Sequence, residues 1–341
     1  MVRDIAGAQA QLMSAAELQV GVRAECAVQD VRAALWKHKS LVKTWLMRGT
    51  LHLIPAADLP LYTAAMSTRW IRINRSWLKL VGLSEPELLK LVAEIGAVLD
   101  STPLTREEVI KVVGKGHSPR VLDVLKSGWG GMLKPAARNG MLCFGPSRGQ
   151  SVTFVRPEKW LSSWTKVDPD AALIEVGRRY MRAYGPATKL DFVRWWGNWP
   201  GVGTAAWAGL ESELVHVSVE GTRTQMLARD LDAIAKSSAA ASVQLLPLFD
   251  PYLLGHVNRD HLYAAIHRAR VSRTAGWISA VVLEDGRVAG TWTHVVAKQT
   301  LHIKVEPFKR LAARTLAVVR RRADSLAETL GLAQAEVQAA G

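Results

Sequence analysis

An α+β fold is predicted by three observations. A pattern of two or three short amphipathic helices followed by two short strands joined at a turn occurs three times along the chain. Further strand-like runs follow between residues 242 and 307, and a long amphipathic helix, 311–330, comes after them. The three copies share little sequence, so the repeat lies in the order of elements.

The first copy, with a linker, occupies residues 1–80. Ser14 is predicted to cap a helix running to Glu25. A second helix, 28–39, puts Val28, Val31 and Leu35 on one face and Arg32, Lys37 and Lys39 off it. Residues 41–47 and 50–54 read as strands around a two-residue Arg48-Gly49 turn, with Pro55 as terminator. The second copy occupies 81–160. Ser84 with Glu87 and Thr105 with Glu108 spell capping boxes ahead of apolar stripes, Leu88, Leu91, Val92, Ile95 and Leu99 behind the first and Val109, Val112 and Val113 behind the second. A helix at 132–138 precedes strands at 141–144 and 152–155, whose connecting loop carries Arg148.

The third copy occupies 168–230. Leu173, Val176 and Tyr180 mark a helix that stops at Gly185-Pro186, Leu190, Val193 and Trp196 mark the next, and 204–210 is a third. Strands at 214–219 and 222–227 flank Glu220-Gly221. Helices followed by a hairpin is the winged-helix order: a helix sits in the major groove and the hairpin wing lies along the backbone or reaches the minor groove. The expected architecture is thus three tandem winged-helix modules, then a small C-terminal β-barrel or sandwich with a terminal helix over 242–341. Its strands are expected at 243–248, 262–267, 278–283, 287–292 and 300–305, with Asp285-Gly286 as a hairpin turn and Arg314 and Arg320 to Arg322 on the exposed side of the helix.

The 341 residues include 44 Lys+Arg against 30 Asp+Glu, a net charge of +14. Such a surplus attracts polyanions. Cys26 and Cys143, the only cysteines, make neither a disulfide framework nor a zinc finger, which fits a reducing cytoplasm. The first residues contain no long apolar run of a signal peptide, and no run in the sequence reaches the length of a membrane span. No membrane partner is therefore expected. Duplex DNA is, bound by a monomer in the cytoplasm at the nucleoid; the alternative is a solvated basic surface without a specific partner.

Phosphate-loop, dinucleotide, nucleophile-elbow and zinc-protease motifs are absent, and the nine histidines lack metal-ligand spacing. No metal and no small-molecule cofactor are expected. Gln9-Ala10-Gln11 places two carboxamides two residues apart, so an extended segment points both the same way and offers converging acceptors and donors. Spacing alone favours an ordinary solvated helix end. Trp195, Trp196 and Trp199 cluster, and Trp36 and Trp45 flank the first wing; base stacking is one role for them and core packing the one favoured.

Gln9-Ala10-Gln11, LVKTWLMRGTLHLIPAADLP (41–60), LPLFDPYLLG (246–255) and DGRVAGTW (285–292) together resemble the bacterial winged-helix DNA glycosylases of the AlkZ/YcaQ type, in the same order over nearly the whole chain. The resemblance implies tandem winged helices, a C-terminal β-domain, and excision of alkylated bases, in some members from interstrand crosslinks. The family's Gln-Φ-Gln or Gln-Φ-Asp motif maps onto Gln9 and Gln11, with Ala10 as a small middle residue. Eight residues precede Gln9, where the family carries about a helix, so the first module is expected to lack its first helix or to begin at a misplaced start.

On that basis Gln9 and Gln11 are the expected catalytic pair of a monofunctional glycosylase. A cationic N7- or N3-alkylated purine needs no protonation to leave, so neutral amides suffice to hold water and stabilise the sugar cation. Arg32, Lys37, Lys39, Arg48, Arg148 and Arg287 are the expected DNA contacts, with Arg48 at the first wing's tip and the 284–287 turn as a candidate wedge. The alternative is a non-catalytic winged-helix DNA-binding protein such as a transcriptional regulator.

Overall fold

The computed structural model describes residues 1–68, 74–128, 130–237 and 242–339. Strand β1 (Ala8–Gln9) bends into α1 (Met13–Ala24), followed by α2 (Val28–Trp36). Ser14 lies inside α1; the N-cap position is Leu12, whose side chain makes no capping hydrogen bond. Strands β2 (Leu41–Trp45) and β3 (Leu51–Pro55) pair antiparallel, and α3 (Leu59–Met66) follows. The expected two-residue Arg48-Gly49 turn is instead a wider loop with a 3-10 turn at Met47–Gly49, closed by Leu46 N–H donating to the Thr50 carbonyl at 3.1 Å. Leu46 and Met47 are buried, so the chain turns inward to cover them before it reverses.

Next come α4 (Arg75–Val81), α5 (Glu85–Val98), β4 (Leu104–Thr105), α6 (Arg106–Val113), α7 (Pro119–Lys126), α8 (Leu133–Arg138), β5 (Cys143–Arg148), β6 (Ser151–Val155) and α9 (Pro157–Trp160). Both capping boxes form as expected. Helices α4 and α7 escaped the sequence pattern, being short; α7 starts at a Ser118 cap with Pro119 in its first turn. Strands run in the order β4-β6-β5.

Helices α10 (Pro169–Tyr184), α11 (Lys189–Trp196) and α12 (Pro200–Leu210) precede the hairpin of β7 (Leu214–Val219) and β8 (Thr222–Leu227), and α13 (Leu231–Lys236). The Glu220-Gly221 turn sits where the sequence puts it, with both residues at positive φ. The last stretch holds β9 (Val243–Leu246), α14 (Arg268–Val271), β10 (Val281–Glu284), β11 (Arg287–Ala297), β12 (Thr300–Pro307), α15 (Ala313–Leu330) and β13 (Gln334–Ala339). They form one half-barrel sheet in the order β13-β12-β11-β10-β9, with β13 parallel to β12 and the other pairs antiparallel.

The expected small barrel or sandwich is thus found in part, as a half-barrel sheet with its terminal helix, and one expected strand is absent from it. Residues 262–267 are not a strand: the Leu262 and Tyr263 N–H groups both donate to the Arg259 carbonyl, winding the segment into turns that bury these two side chains. Strand β13, reading QAEVQA, carries too weak an alternation to be recognised.

The chain divides into two compact units, one of residues 1–33, 180–195 and 213–341, the other of 34–179 and 196–212. In the first unit α15 and Leu18 of α1 cover the sheet through Val319, Ala323, Leu326 and Ala327. In the second, Leu88, Leu91, Ile95, Leu125, Leu133 and Phe154 pack around Trp45, whose ring lies 4.7 Å from Phe144. Trp45, Trp195 and Trp196 are therefore core residues.

Gly255 is required by close approach. A Cβ there would stand 2.4 Å from the Tyr184 ring, while the Gly255 carbonyl accepts from Tyr180 Oη at 2.7 Å. Gly255→Ala is expected to destabilise the protein by about 1–3 kcal/mol, read as a shift in the urea midpoint.

Candidate active site

The Gln-Ala-Gln segment is positioned by what surrounds it. Residues 1–7 form a tight turn, with Gly7 N–H donating to the Val2 carbonyl at 3.0 Å; Ala6 and Gly7 take positive φ there. Ala8 and Ala10 are fully buried, which leaves space only for small side chains. Gln9 is 6% exposed, whereas Gln11 lies on the surface at the bend into α1. Gln9 is thus largely covered by protein while Gln11 is open to solvent. Gln11 leads directly into the N-terminus of α1, whose first turn has neither a side-chain cap nor an acidic residue, so its free N–H groups favour partners with negative charge or lone pairs.

The sequence did not reveal the clamp behind this segment. Gln19, fully buried on α1, donates from Nε2 to the Gln9 carbonyl at 3.2 Å and to the Leu248 carbonyl at 2.9 Å. One turn on, Arg23 forms a two-pronged pair with the buried Asp250 at 2.7 and 2.8 Å. Burial lowers the Arg23 pKa, and the Asp250 charge and hydrogen bonds more than offset this. Asp250 also accepts from the Tyr252 N–H. The available signal was Gln19 and Arg23, polar residues four apart on an otherwise largely apolar helix.

The other buried carboxylates of this unit are also engaged. Glu17 holds Arg32 at 2.6 and 3.1 Å, and Asp191 accepts from Thr188 and, at 2.7 Å, from the Val257 N–H. A cleft of about 310 Å³ is lined by Ile5, Arg23, Tyr184, Tyr252, His256 and His261. Burial, then the neighbouring His256, pushes the His261 pKa down, which favours its neutral imidazole. Among the described residues, no group of three His, Cys, Asp or Glu side chains is placed to hold a metal ion.

The basic residues named from sequence fall in both units. Arg32 is folded onto Glu17, and Lys39 lies over the Trp160 ring at 3.6 Å. Lys37 is exposed just past α2. Arg148 pairs with Glu108 at 2.8 Å, and Arg287 donates to the Asp260 carbonyl near Glu220. The 284–287 turn is held by Tyr252 Oη on the Gly286 carbonyl and by Glu284 with Thr315. The longer β11–β12 hairpin instead exposes Val295 and Val296 beside a Lys298-Gln299 tip. Among the described residues no helix is long and apolar enough to cross a membrane.

Arg48 is half-buried, with Nη2 3.5 Å from His52 Nε2. Burial, then the Arg48 charge, pushes the His52 pKa down to about 3. The unfolded chain takes up a proton here below its usual value of about 6.5, which the native state refuses. Stability from this group is therefore complete above about pH 6.5 and is lost as pH falls toward 3. From pH 7 to 5 the wild type is expected to lose roughly 2 kcal/mol that His52→Gln does not lose, read from urea unfolding at the two pH values.

The geometry sets two carboxamides on the strand and bend that lead into α1, in a chain with the sequence features of a DNA-repair family. A model of that family, described as DNA glycosylase AlkZ-like, matches residues 2–329. The interstrand DNA cross-link repair glycosylase of Streptomyces sahachiroi is 34% identical over 345 residues, which cover 99% of this chain and 92% of that protein. The solved structure of Streptomyces sahachiroi DNA glycosylase AlkZ superposes with a TM-score of 0.88, at 34% identity over 99% of this chain and 92% of the other. The chain therefore belongs to the AlkZ-like family of DNA glycosylases, enzymes that hydrolyse N-glycosyl bonds.

Proposed function

We propose that this glycosylase excises cationic N7- or N3-alkylated purines from duplex DNA, including purines tethered in interstrand crosslinks, with Gln9 and Gln11 positioning the water. The observation that carries this reading is the commitment of the buried carboxylates. Glu17, Asp191 and Asp250 are each held by arginine or by backbone and hydroxyl donors, so among the described residues of this unit no two buried carboxylates are left for the acid–base pair that sugar hydrolases use. Neutral amides at the mouth of α1 remain.

The chemistry follows from that limit. The alkylated base is already positive, so the C1′–N9 bond breaks with its electron pair moving onto the ring and neutralising it. Water adds to the cationic C1′ and releases its proton to solvent. The carboxamide oxygens hold the water and their dipoles stabilise the sugar cation. An undamaged neutral base lacks this leaving ability and is spared. The Streptomyces protein, named for interstrand cross-link repair, supports the extension to tethered purines.

We further propose that the hairpins β2–β3, β5–β6 and β7–β8 are the wings of three winged-helix modules that grip the duplex, and that the enzyme works as a monomer. The exposed β11–β12 ribbon, with its apolar flank and Lys298 tip, suits a groove better than the pinned 284–287 turn. The test is incubation with duplexes carrying N7-methylguanine or a purine crosslink, followed by assay for free base and alkali-labile abasic sites. Free base from wild type is expected, and little from Gln9→Ala or Gln11→Ala; equal release by both variants removes the glutamines from the mechanism.

A further inference from the structure

We propose that residues 264–278, between β9 and β10, form a second duplex-DNA contact surface, with Arg268, Arg270 and Arg273 meeting phosphates and Trp277 packing against a sugar or an unstacked base. The proposal rests on the reading that duplex DNA is the substrate, and not on the roles given to Gln9 and Gln11.

The sequence supplies the charge. Residues 261–283 contain no Asp or Glu, yet hold all three arginines. The structure makes the segment a fixed platform. Leu262, Tyr263, Val271 and Ile278 are buried beneath it. Arg273 N–H donates to the Trp277 carbonyl at 2.8 Å, Ser279 N–H to the Val271 carbonyl at 2.9 Å, and Ser279 Oγ to the Arg270 carbonyl at 2.7 Å. The backbone is therefore held at both ends, so ordering it on binding costs little.

Its outer face is apolar as well as basic. Ile266 is 84% exposed and Trp277 37% exposed. Trp277 follows the Ala275-Gly276 turn, where both residues take positive φ, and stands edge-on to Phe249 at 5.0 Å. The Arg270 guanidinium lies over the Phe308 ring at 4.7 Å and donates to the Glu306 carbonyl, which fixes its direction. Arg268 meets Asp260 at 3.6 Å, with both side chains mostly in solvent, an exposed pair weak enough to yield to a phosphate. Arginines joined to an exposed aromatic ring match a polyanion that also offers planar apolar surface, which is nucleic acid.

The platform is joined to the candidate active site. Phe249 directly follows Leu248, whose carbonyl is held by the same Gln19 Nε2 that holds the Gln9 carbonyl. A duplex seated on Trp277 is thereby indexed to the Gln-Ala-Gln segment.

The test is fluorescence anisotropy of the full chain with a labelled undamaged duplex across a NaCl series, and with the same duplex carrying an abasic site. Arg268→Gln with Arg273→Gln is expected to flatten the slope of log K against log salt by about 1 per arginine. Trp277→Ala is expected to weaken binding to the abasic duplex about tenfold, and Trp277→Phe to restore most of it. Unchanged affinity and slope in the arginine double variant overturn the proposal. So does Trp277-dependent binding to phosphatidylglycerol vesicles without an effect on DNA, which makes the surface a membrane contact. If Trp277→Ala loses stability through Phe249, the double variant's slope decides. Binding needs no chemistry, so failure of Gln9→Ala to slow excision leaves this result standing.

Discussion

Gln9→Ala is expected to slow single-turnover release of N7-methylguanine by about 10²–10³-fold while leaving DNA affinity unchanged, because it removes one preorganised dipole from the reacting centre. The fold of the segment should survive. The clamp grips the backbone carbonyl of residue 9 rather than its side chain, and buried Ala8 and Ala10 already show that alanine fits this interior. Loss of activity without loss of binding or stability is thus a chemical effect. The measurement is quench-flow or manual quench of free base under enzyme excess, beside anisotropy on the same duplex. A Gln9→Ala rate close to wild type would transfer the water to another group.

The largest effect on stability is expected from Asp250→Ala, about 3–5 kcal/mol by urea unfolding. Asp250 is wholly buried and Arg23 half-buried, and removing the carboxylate takes away the counter-charge that Arg23 grips and the acceptor of the Tyr252 N–H. Excision should fall too, because Arg23 also donates to the Gln19 carbonyl and the clamp on Gln9 loosens with it. Asp250→Asn keeps an acceptor for Tyr252 but not the charge, so an intermediate loss separates the two contributions.

Local chemistry made much of the fold legible. Ser84 with Glu87, Thr105 with Glu108, Asp285-Gly286 and Glu220-Gly221 each fix backbone geometry within a few residues, and each is found where the pattern puts it. Tertiary burial overrode the pattern elsewhere. Leu46 and Met47 widen the first hairpin's turn, and Leu262 and Tyr263 read as strand yet enter the core from turns. The location of Gln9 and Gln11 could be read, but their environments could not. One is buried and the other exposed because of the bend at α1, and their support comes from Leu248 and Asp250, more than two hundred residues away. The basic contacts were least legible. Arg32, Arg148 and Arg287 engage acids or carbonyls whose proximity depends on the fold. The acid-free stretch around Arg268, Arg270 and Arg273 was visible in the sequence, but the expected strand at 262–267 hid it.

The central claim is that neutral amides suffice because the damaged base leaves as a pre-formed cation. The most direct measurement compares release of N7-methylguanine with that of its neutral isostere, 7-methyl-7-deazaguanine, in the same duplex position under enzyme excess. The account predicts that both duplexes are bound and that only the cationic base is set free. Release of the neutral isostere at a comparable rate would show that the enzyme protonates its leaving group, and no pair of glutamines can do that.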